Sequence, residues 1–101
     1  MQINVQKTDG RAKLVLNGRF DFSAHRDFRG AYEPVLAAAD VREVEIDFNS
    51  VDYLDSSALG MLLLLKERAG AANKGVTLLN CKGTVKQVLD IANFGKLFTM
   101  Q

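Results

Sequence analysis

The fold turns on one stretch, Val41-Arg42-Glu43-Val44-Glu45-Ile46-Asp47-Phe48, which runs through Asn49-Ser50-Val51-Asp52-Tyr53-Leu54 into Asp55-Ser56-Ser57-Ala58-Leu59-Gly60. In its first part Val44, Ile46 and Phe48 alternate with Glu43, Glu45 and Asp47, the period of two that sets one face of a strand on a core. Asn49 to Leu54 breaks the alternation and reads as a loop. From Ser56 to about Ala69 the spacing is helical, with Gly70 to close the helix and a softer tail to Lys74-Gly75.

Working outward, Ile3 and Val5 alternate with polar neighbours, and Leu14, Val15 and Leu16 run between charged residues and Asn17-Gly18. Both read as strands, joined at Asp9-Gly10 in a hairpin. Between Ala24 and Ala39 apolar residues recur at Phe28, Ala31, Tyr32, Val35 and Leu36, a helical spacing with Ser23 placed to cap it and Pro34 expected to bend the helix or make it restart around Glu33. Val76 to Asn80 reads as a short strand. Thr84 to Ala92 reads as a helix with Val85, Val88, Leu89 and Ala92 on one face, and Phe94 to Phe98 packs the end of the chain. Strands alternating with helices after an opening hairpin predict one α/β domain over residues 1–101, a mixed and largely parallel sheet with helices packed against it.

Composition narrows the function. The 101 residues are 48% hydrophobic and 25% charged, as expected of a folded globular domain. Thirteen Lys and Arg against twelve Asp and Glu leave a net charge of +1, too little to draw the chain to nucleic acid or to an anionic membrane. No run approaches the roughly 20 apolar residues of a membrane span, and the N-terminus lacks a signal-peptide pattern, so a cytoplasmic protein is expected. One cysteine, Cys81, and one histidine, His25, cannot make a zinc site of familiar spacing, and no metal or cofactor is expected. Cys81 follows an apolar strand and reads as a packed thiol without a role.

The block from Asp47 to Gly60 resembles the signature of STAS domains, in particular the bacterial anti-sigma factor antagonists, in which a strand ending in Asp leads through a loop to an Asp-Ser-Ser-Gly-Leu helix start. Gly18-Arg19-Phe20-Asp21 is similar to the family's Gly-x-x-Asp turn, and Phe94-Gly95-Lys96-Leu97-Phe98 to its closing segment, so that the resemblance spans essentially the whole chain. Ala58 is a departure, since the family usually has glycine there.

The resemblance implies a switch between partners. The unmodified protein would bind an anti-sigma factor that is also a serine protein kinase, releasing the sigma factor or another target; phosphorylation would end that binding, and a PP2C-type phosphatase would reset it. By position in the motif the phosphoacceptor is Ser57, with Ser56 as the alternative. The expected partner surface comprises Asp52, Asp55, Ser56, Ser57 and Ala58, continues along the helix through Leu59, Met61 and Leu62, and includes Asp21 and Ser23 from the earlier turn. His25 joins it only if its loop lies beside Ser57. A STAS subunit of a membrane transport complex, without phosphorylation, is the competing expectation.

Elementary physics supports a switch at this point. A helix start offers unpaired N–H groups and about half a positive charge, so a phosphate there need not unfold the helix. Yet phosphoserine adds about −1.5 to −2 charges beside Asp52 and Asp55 and would repel a partner fitted to a neutral serine. The bland reading is that Asp55, Ser56 and Ser57 only cap the helix. A second clue is Leu62-Leu63-Leu64-Leu65: successive helical residues turn by about 100°, so four in a row cannot all face one sheet. Either another element covers the outer leucines or they form an exposed patch beside the serines.

Enzyme readings fare worse. Leu54-Asp55-Ser56-Ser57-Ala58 is not the Gly-x-Ser-x-Gly of a nucleophile elbow, and His25 is the only histidine that could serve as base. No phosphate loop of the form Gly-x-x-x-x-Gly-Lys-Ser/Thr occurs, Lys82-Gly83-Thr84 being too little to build one. Asp47, Asp52 and Asp55 could suggest an acidic, metal-bound phosphoacceptor pocket as in response-regulator receivers, but a receiver needs an acidic pair just after the first strand and a lysine after the last, and the chain is too short for five alternating strands and helices.

Overall fold

The hairpin forms where Asp9 and Gly10 both take positive φ, 48° and 80°, the left-handed pair that a two-residue turn demands and that Asp-Gly supplies at little cost. It joins β1 (Gln2–Thr8) to β2 (Arg11–Phe20) antiparallel in the computed structural model, which describes residues 1–101. There follow α1 (His25–Ala37), β3 (Glu43–Leu54), α2 (Ser56–Ala71), β4 (Gly75–Leu79), α3 (Gly83–Ile91) and β5 (Thr99–Met100), with short 3-10 turns at Phe22–Ala24 and Phe94–Lys96. The sheet order is β1-β2-β3-β4-β5, and every pair after the hairpin is parallel. This is the mixed, largely parallel α/β sheet expected.

One face of the sheet carries Ala12, Leu14, Leu16, Val44, Ile46, Phe48 and Leu78, all at most 1% exposed. α1 buries Phe28, Tyr32 and Val35, and α2 buries Ala58, Met61, Leu62, Leu65 and Ala69 into the same core. Phe20 ties the layers together, its ring 4.9 Å from Phe28 and 6.3 Å from Phe48. On the other face Lys13, Val15, Glu45 and Asp47 are half-exposed, while Thr77 is buried and donates to Glu43 at 2.6 Å. No helix is long and apolar enough to cross a membrane.

Four local expectations are corrected. Asn49 to Leu54 is not a loop: β3 continues to Leu54, paired to the end of β2 as Phe20↔Leu54. Between Val15↔Asp47 and Asn17↔Ser50 the strand β3 advances three residues to two on β2, and between Gly18↔Val51 and Arg19↔Tyr53 two to one. These bulges change the burial period from two to three, so only Phe48, Val51 and Leu54 stay inside. Second, Ser23 does not cap α1. It lies within the preceding 3-10 turn, whose cap is Asp21.

Third, Pro34 does not divide α1: Pro34 and Gly30, four residues earlier, both face solvent, where a carbonyl left without a backbone donor is open to water. α1 nevertheless stops at Ala37, not Ala39, and Lys74 closes this end by donating to the carbonyls of Ala38 and Val41 at 3.0 and 2.6 Å. Fourth, α2 runs past Gly70 to Ala71, and the left-handed residue behind it is Asn73, φ 59°.

Candidate functional site

β2 and β3 end side by side, at Phe20 and Leu54, and each is followed by an aspartate that caps the next helical segment. The backbone N–H of Asp55 donates to the carbonyl of Phe20 at 3.3 Å, which locks the two strand ends at one level. The Asp55 carboxylate then accepts from the N–H of Ala58 at 3.1 Å and caps α2. Asp21 accepts from both the N–H and the hydroxyl of Ser23. Those bonds, led by the hydroxyl and helped by Arg19 at 3.6 Å, hold the Asp21 carboxyl below the usual carboxylate range. Arg19 also lies over the Tyr53 ring, 4.1 Å from its centre.

Ser57 occupies the first turn of α2 and is half-buried, whereas Ser56 is exposed. Ser57 lines a shallow groove of about 250 Å³ together with Phe22, His25, Gly60, Met61 and Leu64. The condition attached to His25 is therefore met: its turn does lie beside Ser57. Phe22, 77% exposed, and Leu64, 40% exposed, form the groove's apolar rims.

Of the residues expected on the partner surface, Asp21, Ser23, Asp52, Asp55 and Ser56 are accessible around this end of the sheet, Asp52 on the second bulge of β3. Ala58 and Leu62 are corrections. Both are 0% exposed because they point from α2 into the sheet, so no partner can touch their side chains. Leu59 is half-buried against the core, and Met61, 7% exposed, reaches the surface only as part of the groove wall. The outer leucines are Leu63 and Leu64, and no element covers them.

Phe22 and Gly60 were absent from the expected surface, and Leu64 entered it only through the alternative of an exposed leucine patch. The signal for two of them was available: Ser57, Gly60 and Leu64 stand at i, i+3 and i+7, one stripe of a helix. Phe22 falls outside the apolar phase of Phe28, Tyr32 and Val35, which marks it as an aromatic without a place in the core. No three His, Cys, Asp or Glu side chains gather as a metal site. Asp47 accepts from the N–H of Asn49 and from Asn80, and Asp55 is committed to its cap.

A model of the family described as "Mlab, STAS domain" matches residues 3–99. This chain belongs to the STAS domain family. Among similar proteins, a STAS-domain containing protein of Pseudomonas aeruginosa is 52% identical over 91 residues, which is 89% of this chain and 88% of that one. A putative anti-sigma factor antagonist of Thermotoga maritima shares the fold with a TM-score of 0.87 at 15% identity, over 97% of this chain and 84% of that one. The unphosphorylated form of the anti-sigma factor antagonist SpoIIAA superposes with a TM-score of 0.75 at 20% identity, over 99% and 87%. The phosphorylated form of SpoIIAA, the Bacillus cell fate determinant, gives the same TM-score and identity over 99% and 91%. At these identities the structural likeness is one of fold. In this STAS domain the loop and helix of the family signature are thus a bulged strand end, an aspartate cap and a serine facing a groove.

Proposed function

We propose that this STAS domain is an anti-sigma factor antagonist in a partner-switching pathway. Its unphosphorylated form binds an anti-sigma factor that is also a serine protein kinase, in the cytoplasm, and frees the sigma factor or another target. The kinase then transfers the γ-phosphoryl group of its ATP to the Ser57 oxygen. The bond to ADP breaks as the bond to serine forms, and the hydroxyl proton leaves to a base of the kinase. The phosphorylated protein no longer binds, and a PP2C-type phosphatase returns the serine by hydrolysis.

The observation that supports this reading is the half-buried Ser57 in a groove with exposed apolar rims, one residue beyond a more exposed Ser56. A serine needed only as a cap has no reason to face such a groove, and the cap here is Asp55. The acidic neighbours Asp21, Asp52 and Asp55 add the charge against which a dianion repels.

The test is binding to the kinase that copurifies from the native cell, before and after addition of ATP. Wild type should bind about 100-fold more weakly once phosphorylated, equivalent to about 2.8 kcal/mol, while Ser57→Ala should stay bound. Loss of binding by Ser57→Ala under kinase and ATP contradicts the proposal. Copurification of a transport ATPase in place of a kinase contradicts it too, and favours the transport-subunit reading.

A further inference from the structure

Ser57 and His25 belong to different helices and face the same groove, whose remaining lining is Phe22, Gly60, Met61 and Leu64. His25 is thus the one lining side chain able to carry positive charge. Of the carboxylates nearby, Asp21 is engaged with Ser23 and Arg19 and Asp55 with the N–H of Ala58, while Asp52 stands exposed on the second bulge of β3, outside the groove lining. On its own helix His25 is followed by Arg26 and Asp27, and one turn on by Arg29, which pairs with Glu33 at 3.1 Å. The groove wall contributed by α2 carries no charge.

Resting on the reading that Ser57 is the phosphoacceptor, we infer that the phosphate on Ser57 is received inside this groove by the imidazolium of His25. Phosphorylation then acts in two ways. It adds charge, and it fills with a polar group the apolar seat between Phe22 and Leu64. A phosphoserine offers three strong acceptor oxygens, and a protonated histidine presents N–H donors on both ring nitrogens, so the pairing is a charge-assisted hydrogen bond.

The experiment installs phosphoserine at position 57 by genetic encoding, so that no kinase is needed, and follows its phosphorus resonance through a pH titration. With His25 present the second ionisation should fall below its ordinary value of about 6, and His25→Ala or the bulkier His25→Gln should raise it by about half a unit. Arg26→Ala should leave it in place, and added salt should shrink the difference between wild type and the His25 variants. Equal midpoints in wild type and both His25 variants overturn the inference, as does a shift produced by Arg26→Ala alone. Either result leaves the partner switch standing. Failure of any kinase to modify Ser57 would remove the switch without changing the phosphorus titration.

Discussion

Asp55 does two things at once: its N–H ties the end of β3 to β2, and its carboxylate caps α2. Asp55→Ala should therefore lower stability by about 1 kcal/mol, the usual worth of such a cap. Asp55→Asn keeps a capping oxygen and should recover most of that loss. Thermal or urea unfolding of the two variants checks this, and equal losses would mean that the charge and not the bond matters. Cys81 makes a second prediction, because burial pushes its thiol up to about 11. At pH 8 only about one thiol in a thousand is ionised at that value, against about one in ten or more for an ordinary cysteine. Alkylation by iodoacetamide at pH 8 should thus be slower than that of a free thiol by about two orders of magnitude and should rise tenfold per pH unit up to about 11. A rate near that of a free thiol would show an open, unburied Cys81.

The two elements that build the site were legible to different degrees. Val44, Ile46 and Phe48 announced the first half of β3 because an alternation between the two faces of the sheet survives in sequence. Beyond Phe48 the two bulges shift the inward positions to Val51 and Leu54, and a period of three over so short a run resembles a loop. The start of α2 was legible from Asp55, since cap chemistry is local. The phase of α2 was not. Leu62 to Leu65 are alike in sequence, and only the position of the sheet decides that Leu62 and Leu65 are 0% exposed while Leu63 and Leu64 stand about 40% exposed. In the first helix two capping residues, Asp21 and Ser23, competed within three positions, and the turn at Phe22–Ala24 settled on the earlier one. The phase of α2 is testable: Leu62→Ala should cost about 2–5 kcal/mol, as for a buried leucine, in chemical denaturation. Leu64→Glu should leave the unfolding midpoint within about 0.5 kcal/mol of wild type and weaken kinase binding instead. A large stability loss from Leu64→Glu would mean that Leu64 is covered.

At the scale of the molecule, the parallel order β2-β3-β4-β5 brings the ends of β2 and β3 together and sets the starts of α1 and α2 beside one another. The site therefore draws on residues more than thirty apart, such as His25 and Ser57 in one groove, whose meeting no local pattern in the sequence announces. Met61 alone belongs to both the core and the groove wall; the large core side chains Leu14, Ile46, Phe48, Leu62 and Leu78 do not line the groove. A charge added at Ser57 should accordingly change the surface and spare the fold. Ser57→Asp should keep the wild-type circular dichroism and a melting temperature within a few degrees. Gross unfolding of that variant would mean that Ser57 is structural. As a phosphate mimic the carboxylate is incomplete, with less charge and fewer oxygens, so its loss of partner binding should be smaller than that caused by phosphate.

The central claim is that Ser57 is a phosphorylated switch, and peptide mass spectrometry of the protein isolated from its native cell tests it most directly. A single phosphate on Ser57, changing in amount between growth and stress, is the predicted result. Repeated absence of phosphate under both conditions, or a phosphate confined to another residue, would contradict it.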